Sequence, residues 1–87
     1  MNREHPYAAL VRAKLAGGEL SGRDLRARLN RGRCWFFRWS AAGFYRLMAD
    51  LEAAGVVARR IEVRAGGPIC LLVHHFRTSV RHAEKRG

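Results

Sequence analysis

Between Arg23 and Arg33, five arginines (Arg23, Arg26, Arg28, Arg31 and Arg33) face a single acid, Asp24. A guanidinium is a planar fork of donors that matches phosphate oxygens two at a time, so a group this one-sided suits tracking along a polyanion backbone. A charge run on a helix is usually just a solvated face; the imbalance here favours the functional reading. A second basic group, Arg59, Arg60 and Arg64, flanks the Gly66-Gly67 pair, a small tip that can lie close to a nucleic-acid backbone or a minor groove. The plainer reading of Arg59 and Arg60 is the charged solvent face of an edge strand. A third stretch, GRCWFFRW from Gly32 to Trp39, interleaves Trp35, Phe36, Phe37 and Trp39 with Arg33 and Arg38. Bases stacking on Trp35 or Trp39 would suit single-stranded nucleic acid, but in so short a chain two or three of these rings are expected to complete the core. A ring left exposed would point instead to a protein partner.

Other chemistries lack their residues. Cys34 and Cys70 form no C-x-x-C pair, so reduced thiols are expected rather than a disulfide scaffold or a cysteine-rich zinc site. His74 and His75 are adjacent, and in a strand they point to opposite faces, so they do not easily share an ion with Cys70 or His82. No spacing resembles a Ser-His-Asp set, Gly66-Gly67 is not a phosphate loop, and Asp50 and Glu52 fall on different faces of a helix. The expectation is a binding protein with no catalytic site, no metal and no cofactor.

The whole composition agrees. Of 87 residues, 17 are Lys or Arg and 7 are Asp or Glu, for a net charge of +10; 15 of the 17 basic residues are Arg, and the pI is near 11.4. A polyanion, nucleic acid first, is the expected partner. The length allows one small domain and excludes a multi-domain machine, while 48% hydrophobic residues supply enough apolar surface to fold. The longest apolar run, Ile69 to Val73, is far short of the ~20 residues that span a bilayer, and the N-terminus carries no secretory h-region. A cytoplasmic protein is expected, without membrane contact.

The elements that would position these residues can be read along the chain. Residues 1–5 form an N-terminal arm. Pro6 suits a helix start, and Tyr7 to Ala16 reads as a helix stopped by Gly17-Gly18, with Tyr7, Leu10, Val11 and Leu15 on its apolar face. Glu19 and Leu20 make a short extended link. Ser21, with Asp24 three residues on, caps a second helix that runs to about Asn30–Gly32 and buries Leu25 and Leu29. Ser40 caps a third helix, Ala41 to Ala54, with Phe44, Leu47, Met48 and Leu51 on one stripe and Gly55 as its terminator. From Val56 the period becomes 2: Val57, Arg59, Ile61 and Val63 alternate with Ala58, Arg60, Glu62 and Arg64 as a half-buried strand. The Ala65–Pro68 turn then leads into a second strand, Ile69 to Phe76. Residues 77–87 read as a basic tail, with one helical turn at most.

Helix, link, helix, linker, helix and a glycine-tipped hairpin is the order of a winged helix-turn-helix, mainly α, with a three-helix core and a two-stranded wing over residues 6–76. The hairpin is expected to lay its apolar face on the open side of that core. SAAGFYRLMADLEAAGVVARR resembles the recognition-helix segment of PadR-type winged-helix regulators and, more loosely, MarR-type ones; Ser40, Phe44, Tyr45, Met48, Leu51, Glu52, Gly55, Val56 and Val57 fit the pattern. GELSGRDLRARL is similar to their short strand and second helix. The aromatic linker departs from the shorter, more polar turn usual there, and only about ten mostly polar residues follow Phe76, where that family usually continues into a helical dimerisation segment.

The resemblance implies that the third helix enters the major groove by its N-terminal half, where Ser40, Ala41, Ala42 and Gly43 let the backbone approach closely, with Tyr45 and Arg46 reaching a phosphate or a base edge. The plainer reading packs Tyr45 against the wing and leaves Arg46 solvated. The same resemblance makes Arg59, Arg60, Arg64 and Gly66 a second contact surface, and lays Arg23, Arg26, Arg28, Arg31 and Arg33 across the phosphate backbone. The leading expectation is a small, nucleoid-associated, sequence-specific regulator of double-stranded DNA. The alternatives are a winged-helix interaction module that docks a protein or a second copy of itself through the aromatic linker, and an accessory protein holding duplex RNA by shape.

Overall fold

Two serines set where the longer helices begin. In a computed structural model, which describes residues 4–79, Ser21 and Ser40 both have extended backbones, and their hydroxyls accept from the amides of Asp24 and Gly43, each at 3.1 Å. Each satisfies an amide that the first helical turn leaves without a partner. The elements run α1 (Ala8–Lys14), β1 (Leu20–Ser21), α2 (Gly22–Asn30), a 3-10 turn (Trp35–Phe37), α3 (Ala41–Ala53), β2 (Val57–Gly66) and β3 (Ile69–Thr78). None of these helices is long and apolar enough to cross a membrane.

α3 stops one residue earlier than the sequence suggests, at a Schellman motif. Gly55 has φ +79°, its N–H donates to the carbonyl of Glu52, and the N–H of Val56 reaches back to Leu51. Leu51 and Val56 are both buried, the apolar contact that accompanies this cap. α1 is also shorter than expected. Ala8, Val11 and Leu15 carry its buried face, while Tyr7 lies outside it, with its ring edge-on to Trp39 at 5.4 Å.

The sheet has three antiparallel strands in the order β1-β3-β2, not the two of a bare hairpin. The extended link holds a strand of its own: Leu20 lies opposite Phe76 and Ser21 opposite His75. β2 and β3 pair without a bulge from Val57↔Thr78 to Gly66↔Ile69, so β3 runs two residues beyond Phe76. Gly67 and Pro68 alone make the reversal, and the φ of +71° at Gly67 is what a tight two-residue hairpin turn asks of its first central residue. The tail beyond Ser79 and the first three residues of the arm lie outside the described residues.

Two sequence expectations about the core are overturned. Of the linker rings only Trp39 packs against it; Trp35, Phe36 and Phe37 are 71%, 69% and 67% exposed. The core is made by aliphatic side chains from all three helices and by the edge-to-face pair Phe44–Phe76, without Trp35, Phe36 or Phe37. Nor does the hairpin lay its whole apolar face on the helices. Val57 and Phe76 at its base are buried, but Ile61, Val63 and Leu72 are exposed. Length explains this: a ten-residue strand spans roughly 34 Å, whereas the thirteen residues of α3 rise only about 20 Å, so the distal half of the hairpin projects beyond its support.

Candidate nucleic-acid interface

Where the acids fall decides which arginines remain free to meet a ligand. Glu4 takes Arg12, Glu52 takes Arg59 at 2.8 Å, Glu19 holds Arg60 through two bonds of 2.7 and 3.0 Å, and Glu62 holds Arg64 at 3.1 and 3.3 Å. The three hairpin arginines, Arg59, Arg60 and Arg64, therefore each have a carboxylate partner, and their charge is compensated within the fold. By contrast Arg23, Arg26, Arg28 and Arg31 on or just after α2, and Arg46 on α3, have no carboxylate partner among the described residues. Over the 25 residues between Asp24 and Asp50 there are six arginines and no acid.

Part of this excess lines one groove. A concavity of about 830 Å³ opens between α2 and the start of α3, bounded by Gly22, Arg23, Arg26, Ala27, Asn30, Arg31, Arg38, Ala41 and Tyr45. Arg23, Arg26, Ala27 and Asn30 share one face of α2 by their three- and four-residue spacing, while Leu25 and Leu29 are buried on another. The lining combines small side chains with four guanidinium groups, a charge that accepts a phosphate chain.

The sequence reading is thus partly assembled and partly dispersed. Arg23, Arg26, Arg31, Ala41 and Tyr45 come together. Arg28 is exposed but off the groove; Arg33 turns inward, over the Trp39 ring at 4.4 Å, and donates to the Phe37 carbonyl. Ala42 and Arg46 are exposed on α3 beyond the groove, and Gly66 sits at the far end of the hairpin. Tyr45 packs edge-on to Phe44 and His74 and tilts against Phe76, yet it keeps 38% exposure. Gly22 makes room for it: a β-carbon there would stand 2.4 Å from the Tyr45 hydroxyl oxygen.

Two contributors were not singled out from sequence. Arg38 lines the groove, although it lies in a linker expected to be core. Asn30 looks like a helix-stopping residue, but its amide grips the Trp39 peptide at both ends: Oδ1 accepts from the N–H at 2.7 Å and Nδ2 donates to the carbonyl at 3.1 Å. That clamp fixes the residue between Arg38 and the Ser40 cap. Only the clustering of Arg31, Arg33 and Arg38 around the aromatics hinted at it.

The β2–β3 hairpin carries a separate ionic patch. Glu62 meets Arg64 and, at 2.7 Å, Nε2 of His75, whose Nδ1 lies 4.0 Å from Glu19. Hydrogen bonds from Arg64 and then from His75 hold the Glu62 carboxyl down at about 2, and the Arg60 hydrogen bond lowers that of Glu19. A carboxyl depressed on folding stabilises the fold fully above its ordinary value of 4.5, and that contribution is lost as the pH falls through the window down to about 2. Glu62→Gln is therefore expected to melt below wild type at pH 6, with the difference closing as thermal melts are taken towards pH 2. A difference that stayed constant across that range would show that the depressed carboxyl is not its source.

The chain matches no protein-family model, no curated protein sequence and no solved structure.

Proposed function

We propose that the chain is a winged helix-turn-helix protein that binds duplex DNA, acting as a small sequence-specific regulator in the cytoplasm. The observation that carries this reading is the segregation of charge: Glu4, Glu19, Glu52 and Glu62 pair with Arg12, Arg60, Arg59 and Arg64, while no carboxylate lines the arginine groove between α2 and α3. The element order and the hairpin joined to α3 at Gly55 support the fold assignment, with β1 as a short third strand beside the wing.

In this reading the groove arginines Arg23, Arg26, Arg31 and Arg38 seat one phosphate strand, which fixes orientation without reading sequence. The first turn of α3 faces the bases. Ala41 and Ala42 allow the backbone to approach, and Arg46, one turn further on, has the reach and the two parallel donors that read guanine. The hairpin lies alongside, and its compensated arginines contribute less to affinity than the motif alone implies.

The test is a fluorescence-anisotropy titration against DNA and RNA duplexes of equal length over a salt series. Four groove contacts predict a slope of log affinity on log salt of roughly −3.6, from about −0.9 per phosphate. Arg46→Ala is expected to cost about 1–3 kcal/mol on a preferred site and little on a random one. Absence of duplex binding at moderate salt overturns the proposal, and preference for the RNA duplex replaces it with shape recognition.

A further inference from the structure

The exposed aromatic turn is not used by the groove, yet it is built to be presented. Trp35 and Phe36 stack on each other at 3.9 Å between centroids, inclined by 28°. Their loop is closed on itself: Arg38 Nε donates to the Arg33 carbonyl at 3.1 Å, Arg33 donates to the Phe37 carbonyl at 3.3 Å, and Asn30 clamps Trp39 behind them. Three large rings are thus held in water by a fastened loop, which avoids much of the ordering cost that a floppy one would incur on binding.

The charge around them selects the occupant. Arg31 and Arg38 bracket the turn in sequence and both line the groove, so the loop that carries the rings begins and ends beside groove-lining residues. No acid lies within ten residues of Trp35 on either side. Aromatic faces beside guanidinium groups are the recurring means of holding unstacked bases, the rings taking the bases and the arginines the backbone. In an intact duplex the base faces are covered by their neighbours and offer the rings nothing to stack on.

We propose that the Trp35–Phe37 turn stacks on unpaired bases, so that the preferred ligand is duplex DNA interrupted by a gap, a bulge or a single-strand junction. This rests on the reading of the groove as a phosphate site. Stacking of one base corresponds to a preference of about 5- to 150-fold over intact duplex.

The experiment compares the full chain, Trp35→Ala/Phe36→Ala and Trp35→Phe on two labelled DNAs of equal length, one intact and one with a two-nucleotide single-stranded gap, with far-UV circular dichroism to confirm folding. The expected result is a gapped-DNA preference in the wild type that the double alanine variant loses and Trp35→Phe largely keeps, while intact-duplex affinity and salt slope stay unchanged. Equal binding of both DNAs by the wild type overturns the stacking proposal and leaves the groove standing. So does an equal drop on both DNAs in the alanine variant, which would make the rings general contacts. Binding of neither DNA by the wild type removes the groove reading and this proposal together, and leaves a protein partner as the occupant of the turn.

Discussion

Alanine at both Arg26 and Arg31 is expected to weaken duplex DNA binding about a hundredfold and to flatten its salt dependence by roughly two in the log–log slope. Each arginine lines the groove between α2 and α3, and neither has a carboxylate partner among the described residues. A charge-assisted bond to phosphate contributes about 1.5 kcal/mol, close to a factor of ten in affinity, and each phosphate left un-neutralised removes about 0.9 from the slope. The loss should be the same on every sequence, because phosphate contacts carry none of the readout. Arg60→Ala is the informative control. Its guanidinium is held by Glu19 through two bonds, so its removal should leave the slope nearly untouched. Anisotropy titrations between about 50 and 200 mM salt separate the two cases. Equal slopes for the groove double variant and the wild type would move the phosphate site elsewhere.

Neither the groove nor its control could be told apart from the sequence, and the reason is distance along the chain. Arg60 and Glu19 are 41 residues apart, and nothing local distinguishes Arg60 from Arg26. Local signals, in contrast, were legible wherever the physics is local. Ser21 with Asp24, Ser40 with Gly43, and Gly55 after Ala54 satisfy backbone groups within one turn, and the corresponding helix limits stand within a residue or so of their expected places. The two-residue reversal at Gly67-Pro68 belongs to the same class. β1 is the intermediate case: its extended character was visible, but its status as a strand depends on β3 arriving opposite it.

The aromatic linker shows the opposite failure. A tryptophan is buried on average because of its large apolar area, but burial of a particular ring needs a vacancy, and vacancies belong to the assembled core. Phe44, Phe76 and the aliphatic stripes of the helices make up that core. The rings that remained were placed by the loop's own hydrogen bonds and by Asn30, nine residues from the peptide it clamps. The same accounting explains the hairpin, whose alternating pattern predicts an inner face but does not tell that the helices end before the strands do, so that the face is buried only at its base, at Val57 and Phe76.

Phe76→Ala is expected to be the most damaging single substitution for stability, at about 3–5 kcal/mol. Phe76 is 1% exposed, lies opposite Leu20 on one side and Arg59 on the other, and meets Phe44 edge-to-face at 6.0 Å and Tyr45 at 6.3 Å. It joins all three strands to α3. A domain of this size has about 4–13 kcal/mol in total, so the loss takes a large fraction of it and should lower Tm by more than about 10 °C. Leu72→Ala, four residues earlier on the same face of β3, removes an apolar side chain that is 62% exposed and should change stability by no more than about 0.5 kcal/mol. Thermal melts of the two variants side by side test whether the hairpin is docked only at its base: a large loss at Leu72 would mean that the distal strand is buried in solution, and a small loss at Phe76 that the base is not. Because the hairpin leaves α3 at Gly55 and returns beneath Tyr45, undocking it also frees the ring that walls the arginine groove. Phe76→Ala should therefore weaken DNA binding even at temperatures where the helices persist, whereas Leu72→Ala should not.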